Sequence, residues 1–284
     1  MSSLRIAVVQ MPCGEDSAAN IARAEDLVRR ASGEGAGLVL LQELFAMRYF
    51  CAEQDARHLD SAREFEGNEL LARMSALARE CGVVLPVSFF ERDGLAYYNS
   101  VAMIDADGRV PGCYRKSHIP DGPGYQEKFY FRAGDTGFRV WETAAGRVGV
   151  GICWDQWFPE AARAMVLGGA EVLLYPSAIG VEPQDLSYDS SGHWRRVMCG
   201  HSAANMCVLA AANRVGVEEW DGVRMEFYGG SFIAGGRGEV LAEAGGDEEV
   251  IYADVDLGEL ARERLAWGIF RDRRPDLYGA LSDN

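Results

Sequence analysis

The sequence predicts an α/β layered domain on three observations: short apolar runs of strand character alternate with helical periodicity, strand-like runs outnumber helical ones, and turn signals recur between them. The first strand-like run is "LRIAVVQM", residues 4–11. It leads into residues 20–31, where Ile21, Ala24, Leu27, Val28 and Ala31 recur at helical spacing. Residues 36–45, "AGLVLLQELF", supply a second buried strand that ends at Glu43. Residues 68–82 read as a helix closed by Gly82, and "VVLPVSFFE" as the strand after it. "YYNSVAMID" and "GRVPGCYRK" flank "ADG", a hairpin-type turn. The run "RVGVGIC" then hands over to the helix "PEAARAMVLGG". The strand "AEVLLYPSA", the helix "HWRRVMCGHSAANM", the strand "CVLAAANRVG" and three further strand-like runs follow, closing with "EVIYADVD".

No Pro/Gly/Ser tract, repeat or low-complexity stretch divides this pattern, so residues 1–284 are expected to form a single domain. Residues 262–284 are less periodic and mix charges with aromatic residues. They are expected to form an arm that packs on another subunit. A 48% hydrophobic content in 284 residues suffices for a packed core. The N-terminus lacks a cationic lead-in and a cleavage site, and no apolar run approaches the roughly 20 residues that span a bilayer. A cytoplasmic protein is expected. Its seven cysteines lack framework spacing and read as reduced thiols. Cys199 and His201 in "CGH" have no matching second pair, so no metal is expected. Nothing in the chain asks for a cofactor either. The formal net charge of -15 disfavours nucleic acid and anionic membrane as partners and suits a cationic small molecule.

Three positions stand out because a reactive group closes an apolar run: Glu43 after "GLVLLQ", Lys116 after "GRVPGCYR" and Cys153 after "RVGVGI". Ligands in layered α/β proteins collect at the carboxyl ends of strands, so the three can share one cleft. A lone Glu or Lys after a strand is usually solvated surface and a lone Cys usually buried filler. Together, however, they make a chemically complete set. A thiol with a pKa of about 8.5 is a weak nucleophile at neutral pH and needs a base or a nearby cation. Glu43 can accept its proton, and Lys116 can favour the thiolate and stabilise a negative oxygen. His118, in "KSHIPDG", reads first as a structural hydrogen-bonding residue and only then as a base. No GxSxG elbow or Walker-type loop is present.

Glu43, Lys116 and Cys153, in that order, resemble the Glu-Lys-Cys signature of the nitrilase, or carbon-nitrogen hydrolase, superfamily. The resemblance covers nearly the whole chain. The runs "KSHIPDGPGYQEKFYFRAGD", "GICWDQWFPEAARAMVLGGAEVLLYPSAIG", "HWRRVMCGHSAAN" and "WGIFRDRRPDLY" are most similar to the branch that hydrolyses N-carbamoylputrescine. It implies a four-layer α-β-β-α sandwich and homo-oligomers built from dimers. It also implies that Cys153 is the nucleophile and Glu43 its base, with the oxyanion held by Lys116 and the backbone N–H of Trp154. The superfamily's second glutamate maps onto Glu127, expected to orient Lys116. The substrate implied is N-carbamoylputrescine, cleaved to putrescine, carbon dioxide and ammonia.

Residues after the nucleophile, "WDQWFPE", lack the arginines that grip a carboxylate in relatives acting on carbamoyl amino acids. A cationic ureido substrate is therefore expected, its ammonium end met by an acid or by aromatic faces. Glu182 and Tyr49 are the candidates, ahead of Asp185 and Asp189. Two other readings stand beside this one: an amidase for another small amide or ureido acid, and a non-catalytic binding protein on the same fold. The latter predicts loss of one member of the trio, and all three are present.

Overall fold

Alternate residues of the first strand pack into two different cores. In the computed structural model, which describes residues 3–282 apart from Leu186 and Asp221, Ile6 and Val8 face one way while Ala7 and Val9 face the other. That alternation is the signature of a sheet buried on both sides.

The elements in chain order are β1 (Leu4–Gln10), α1 (Ser17–Gly33), β2 (Leu38–Leu40), α2 (Glu69–Cys81), β3 (Val87–Asp93), β4 (Ala96–Met103), β5 (Gly112–Arg115), β6 (Val140–Thr143) and β7 (Gly146–Val150). They continue with α3 (Pro159–Leu167), β8 (Val172–Pro176), α4 (Ser191–Asn205), β9 (Val208–Ala212), β10 (Val215–Trp220), β11 (Val223–Tyr228), β12 (Phe232–Ala234), β13 (Val240–Glu243), β14 (Glu249–Val255) and α5 (Leu257–Trp267). One sheet has the order β13-β12-β9-β8-β7-β6, with β7, β8 and β9 parallel. The other is assembled from β14-β1-β2 and β3-β4-β5. A bridge from Leu38 to Val84 and the bond from Leu85 N–H to Ile104 O join the two halves edge to edge.

Between the sheets lies one core, with Ile6, Val8, Leu40, Val101 and Met103 from one side and Val148, Val150, Leu174, Val208 and Ala210 from the other. Outside the first sheet, Leu27 and Val28 of α1 and Met74 and Leu77 of α2 cover Ala7, Val9 and Val39. Outside the second, Met165 of α3 and Trp194 and Met198 of α4 cover Leu173, Leu209 and Phe232. The order of layers is α-β-β-α, as the resemblance implied. The ends of α2 follow the sequence signals: Asn68 Oδ1 accepts the N–H groups of Leu70 and Leu71, and Gly82 closes the helix at φ +65.

The structure differs from the sequence reading in four places, the first being β6, Val140–Thr143, an additional strand. β2 stops at Leu40, so Glu43 lies on the connection beyond it rather than at the strand's last position. The hairpin of β10 and β11 lies outside the sequence reading, because its strands bury few residues and β10 buries a glutamate, Glu218, at an inward position. The arm expected over 262–284 begins inside α5, which runs to Trp267, and its last two residues, Asp283 and Asn284, lie outside the described structure. No helix among the described residues is long and apolar enough to cross a membrane.

Candidate active site

Cys153 sits on a sharp elbow beyond β7. Its φ is +41, a left-handed conformation that costs a non-glycine residue of order 1–3 kcal/mol and that recurs at nucleophile elbows. Gly151 makes the approach possible, since a Cβ there would stand 2.7 Å from the Tyr175 ring. The hand-over is not directly into α3: Cys153 opens a 3-10 turn, Cys153–Trp157, and α3 starts only after Phe158. Within this turn the N–H of Trp154 meets no backbone carbonyl among the described residues, which leaves it free to meet a developing oxyanion. Asp155 fastens the turn. Its buried carboxylate accepts from Ile152 N–H at 2.8 Å, from the Tyr114 hydroxyl at 2.8 Å and from His118 N–H at 3.0 Å. His118 Nδ1 adds a contact of 2.7 Å, and its ring stacks on Phe158 with centroids 3.6 Å apart. His118 is thus a structural strut between the Cys153 elbow and the loop that carries Lys116.

Lys116 follows β5 directly and is fully buried, as are Glu43 and Glu127. Its ammonium donates to Glu43 Oε1 at 2.9 Å and to both oxygens of Glu127 at 2.8 and 2.7 Å. Asn99 donates to the same Glu43 Oε1 at 2.6 Å, and Tyr49 donates to Glu127 Oε1 at 2.7 Å. One oxygen is left over: Glu43 Oε2 is buried and has no hydrogen-bond partner among the described residues. Burial opposes the charge on Lys116, but Glu127 and Glu43 outweigh it and hold the ammonium's pKa well above its ordinary range. Burial, with Glu43 beside it, pushes Glu127 up to about 7 against the pull of Lys116.

The Cys153 thiol is pushed well up, first by burial and then by Glu43, with Lys116 opposing. It donates to Ala178 O at 3.9 Å. A neutral thiol next to a carboxylate with one free oxygen is the arrangement general-base activation requires. The structure thus brings Glu43, Lys116, Glu127 and Cys153 into one cluster from four separate stretches of chain.

A cavity of ≈ 480 Å³ opens above this cluster. Cys153 and Trp154 line it with Tyr125, Trp157, Glu182 and His193. Glu182 is half-buried on its wall, with Gln184 donating to its Oε2 at 3.2 Å. Asp185 and Asp189 are spent locally: the first accepts from Ser187, the second accepts Ser191 N–H at the start of α4. Tyr49 is a correction. It is fully buried behind the cluster and does not line the cavity, so its aromatic face cannot meet a substrate. Its ring packs in the buried aromatic cluster of Phe50, Tyr130 and Phe227, and its hydroxyl serves Glu127 instead. Sequence reasoning missed Asn99 and Asp155. Asp155 carried a usable signal, since an acid two residues past a candidate nucleophile lies within one turn of it.

Such a sandwich, with a buried Glu-Lys-Cys cluster at its strand ends, defines a class of thiol-dependent hydrolases. The chain belongs to the carbon-nitrogen hydrolase family, whose profile matches residues 5–264. It is 55% identical over 281 residues to an N-carbamoylputrescine amidase of Arabidopsis thaliana, covering 97% of this chain and 94% of that protein. It is 50% identical over 282 residues to a citrullinase of Francisella tularensis subsp. tularensis, covering 99% of each. Among solved structures, a carbon-nitrogen hydrolase from Helicobacter pylori superposes with a TM-score of 0.94 at 41% identity, over 100% of this chain and 99% of that one.

Proposed function

We propose that this protein hydrolyses N-carbamoylputrescine to putrescine, carbon dioxide and ammonia, using Cys153 as nucleophile. The observation that carries the reading is the buried cluster itself: a lysine held by two carboxylates, one with an unpartnered oxygen, beneath a cavity floored by a thiol. The identity to amidases named for this substrate supports the choice of amide.

Glu43 Oε2 takes the thiol proton as sulfur attacks the ureido carbon, and the oxyanion is met by Lys116 and the Trp154 N–H. Loss of one such donor typically costs roughly a hundredfold to a thousandfold in rate. The tetrahedral species collapses as the terminal nitrogen takes the proton from Glu43 and leaves as ammonia. An S-carbamoyl Cys153 remains. Glu43 then removes a proton from water, which attacks that carbon and frees the thiol, to which the proton returns. The released carbamic acid breaks down to the amine and carbon dioxide. Glu127 keeps Lys116 in place through both halves.

At the distal end, Glu182 and the faces of Tyr125, Trp154 and Trp157 suit an ammonium group. Arg and Lys are absent among the described residues lining the cavity, which opposes a carboxylate-bearing substrate. The citrullinase relative favours a second reading, a ureido α-amino acid. Ammonia release from N-carbamoylputrescine, citrulline and β-ureidopropionate, beside Cys153→Ala, separates the two. Preference for either acid overturns the first.

We also propose a cytoplasmic homo-oligomer built from dimers, with no nucleic acid or membrane partner. None of the seven cysteines is paired, which suits a reducing compartment. Leu265, Trp267, Leu277 and Leu281 stand 66–81% exposed along the C-terminal segment, an apolar surface that a second copy can cover. Light scattering of the purified protein tests this, and a monomer at micromolar concentration overturns it.

A further inference from the structure

Behind the reacting groups lies a buried charge pair that the chemistry above does not use. Arg214, two residues past β9, is fully buried, and Glu218 on β10 is 3% exposed. Arg214 Nη1 and Glu218 Oε1 are 2.6 Å apart. Removing two ions from water is costly, and a well-packed apolar pair often fills such a space at least as well, so core filling alone does not call for them. Their remaining bonds converge on a single segment. Arg214 Nη2 donates to the carbonyls of Glu43 and Leu44, each at 3.0 Å, and Nη1 donates to that of Met47 at 3.0 Å. Leu44 is in the left-handed region at φ +49, at the point where the chain turns its carbonyls toward the guanidinium. The second oxygen of Glu218 accepts Tyr49 N–H at 2.6 Å.

The segment held in this way carries Glu43 at one end and Tyr49 at the other. Glu43 bonds Lys116 directly, while the Tyr49 hydroxyl bonds Glu127, which bonds Lys116. We propose that Arg214 and Glu218 are positioning residues that fix residues 43–49 as one rigid piece, and so set Glu43 and, through Tyr49, Glu127 in a single geometry around Lys116. A shift of the segment moves both carboxylates together, and misplacement by about 1 Å can cost on the order of a hundredfold in rate.

The proposal rests on the reading of Glu43 as base. It is tested on the full-length protein with Arg214→Lys, Arg214→Met, Glu218→Gln and Tyr49→Phe. The readouts are kcat and KM for N-carbamoylputrescine per reactive Cys153, and the rate at which iodoacetamide alkylates Cys153. Expected is a fall in kcat of roughly 10- to 100-fold with KM within about threefold, a slower alkylation, and partial rescue in Arg214→Lys relative to Arg214→Met. In Tyr49→Phe, Glu127 loses a donor to its charged form, so the acidic limb of kcat/KM moves to higher pH. The titratable groups around Glu127 in that experiment are Lys116, Glu43, Tyr49, Cys51 and Cys153.

Wild-type kcat per site in the Arg214 and Glu218 variants, with only thermal stability lowered, would falsify the proposal. So would a Tyr49→Phe enzyme with an unmoved kcat and acidic limb. If Arg214→Met does not fold, Glu218→Gln and Tyr49→Phe decide. A wild type inactive on every ureido compound would instead sink the substrate reading, and the alkylation rates would still decide the positioning claim.

Discussion

Arg115 and Lys116 are neighbours in sequence, and each is a cation surrounded by carboxylates, yet they do opposite things. Arg115, on the edge strand β5, lies back over β4 toward Glu91 of β3. Four of its five donors reach carboxylates, Glu91 at 2.5 and 3.0 Å, Asp93 at 2.8 Å and Asp135 at 3.0 Å, and its guanidinium lies 4.0 Å from the centroid of the Tyr98 ring. Asp93 and Asp135 are more than half exposed, and Glu91 takes a further bond from Ser100. Every charge there is either bonded or wetted. Lys116, one residue on and facing inward, is fully buried between two buried carboxylates, and one carboxylate oxygen has no partner among the described residues. The difference teaches where to look for chemistry. A satisfied cluster such as that around Arg115 is structural, whereas the unsatisfied atom at Lys116 is held ready for a proton that arrives with the reaction.

The comparison breaks first at Glu43. Glu43→Gln keeps the shape and the bonds to Lys116 and Asn99 but removes the free acceptor. Because Glu43 serves both halves of the reaction, we expect kcat/KM to fall about 10⁴-fold, the upper end for a general base, with thermal stability unchanged or raised. A variant that keeps a tenth of the activity would show that Oε2 is not the base. Lys116→Met comes next. It removes an oxyanion partner, costing about 10³-fold in kcat, and leaves two buried carboxylates without a cation, which we expect to cost on the order of 3–5 kcal/mol. Denaturant unfolding followed beside the assay checks both, and a stable, active Lys116→Met protein would erase the distinction from Arg115.

Much of this arrangement was legible before any coordinates, and the reason is local. The rule that a reactive residue closing an apolar run sits at a strand's carboxyl end found Glu43, Lys116 and Cys153, since it needs only period-two burial and the next few residues. The same rule extends to Asn213 and Arg214 after "CVLAAA", and Arg214 belongs to the pair that holds Glu43. Glu127 follows no apolar run and was reached through family resemblance alone. Tyr49 reads as substrate-facing because an aromatic face suits an ammonium group, and an aromatic residue looks the same in sequence whether it faces a cavity or a core. Its true partner, Glu127, is 78 residues away. The hairpin of β10 and β11 escaped for a different reason, as Glu218, Glu219 and Glu226 give it the look of a solvated loop.

Titration sharpens the comparison. Glu127, pushed up to about 7 by burial and by Glu43, must be ionised to balance Lys116, so kcat/KM of the free enzyme should fall tenfold per pH unit below about 7. Its effect on stability has the opposite sign. A folded pKa above the unfolded value favours the folded state while the group is protonated, so that contribution is complete below about 4.5 and is lost as pH rises through about 7. Activity and this part of stability therefore trend in opposite directions between about 4.5 and 7. In Glu127→Gln both slopes should disappear. A thermal-shift series and a rate series over the same buffers read the two, and a persisting acidic limb in Glu127→Gln would assign it to another group.

The smallest effect is expected at Asp135, on the satisfied side of the comparison. Arg115 holds its carboxyl below the usual aspartate range by a direct hydrogen bond, so its contribution is present above that range and is lost as pH falls through it, the reverse of Glu127. The side chain is 61% exposed and shares its cation with Glu91 and Asp93. Water and salt screen most of the attraction, and the guanidinium keeps its other bonds when one partner leaves. Asp135→Asn should therefore destabilise the fold by no more than about 0.5 kcal/mol at neutral pH, by less in high salt and by progressively less as pH falls below the usual aspartate range, with kcat unchanged. A loss near that expected for Lys116→Met would mean that exposure does not separate the two clusters. The unpartnered oxygen of Glu43 would then have to stand alone as the mark of the reactive one.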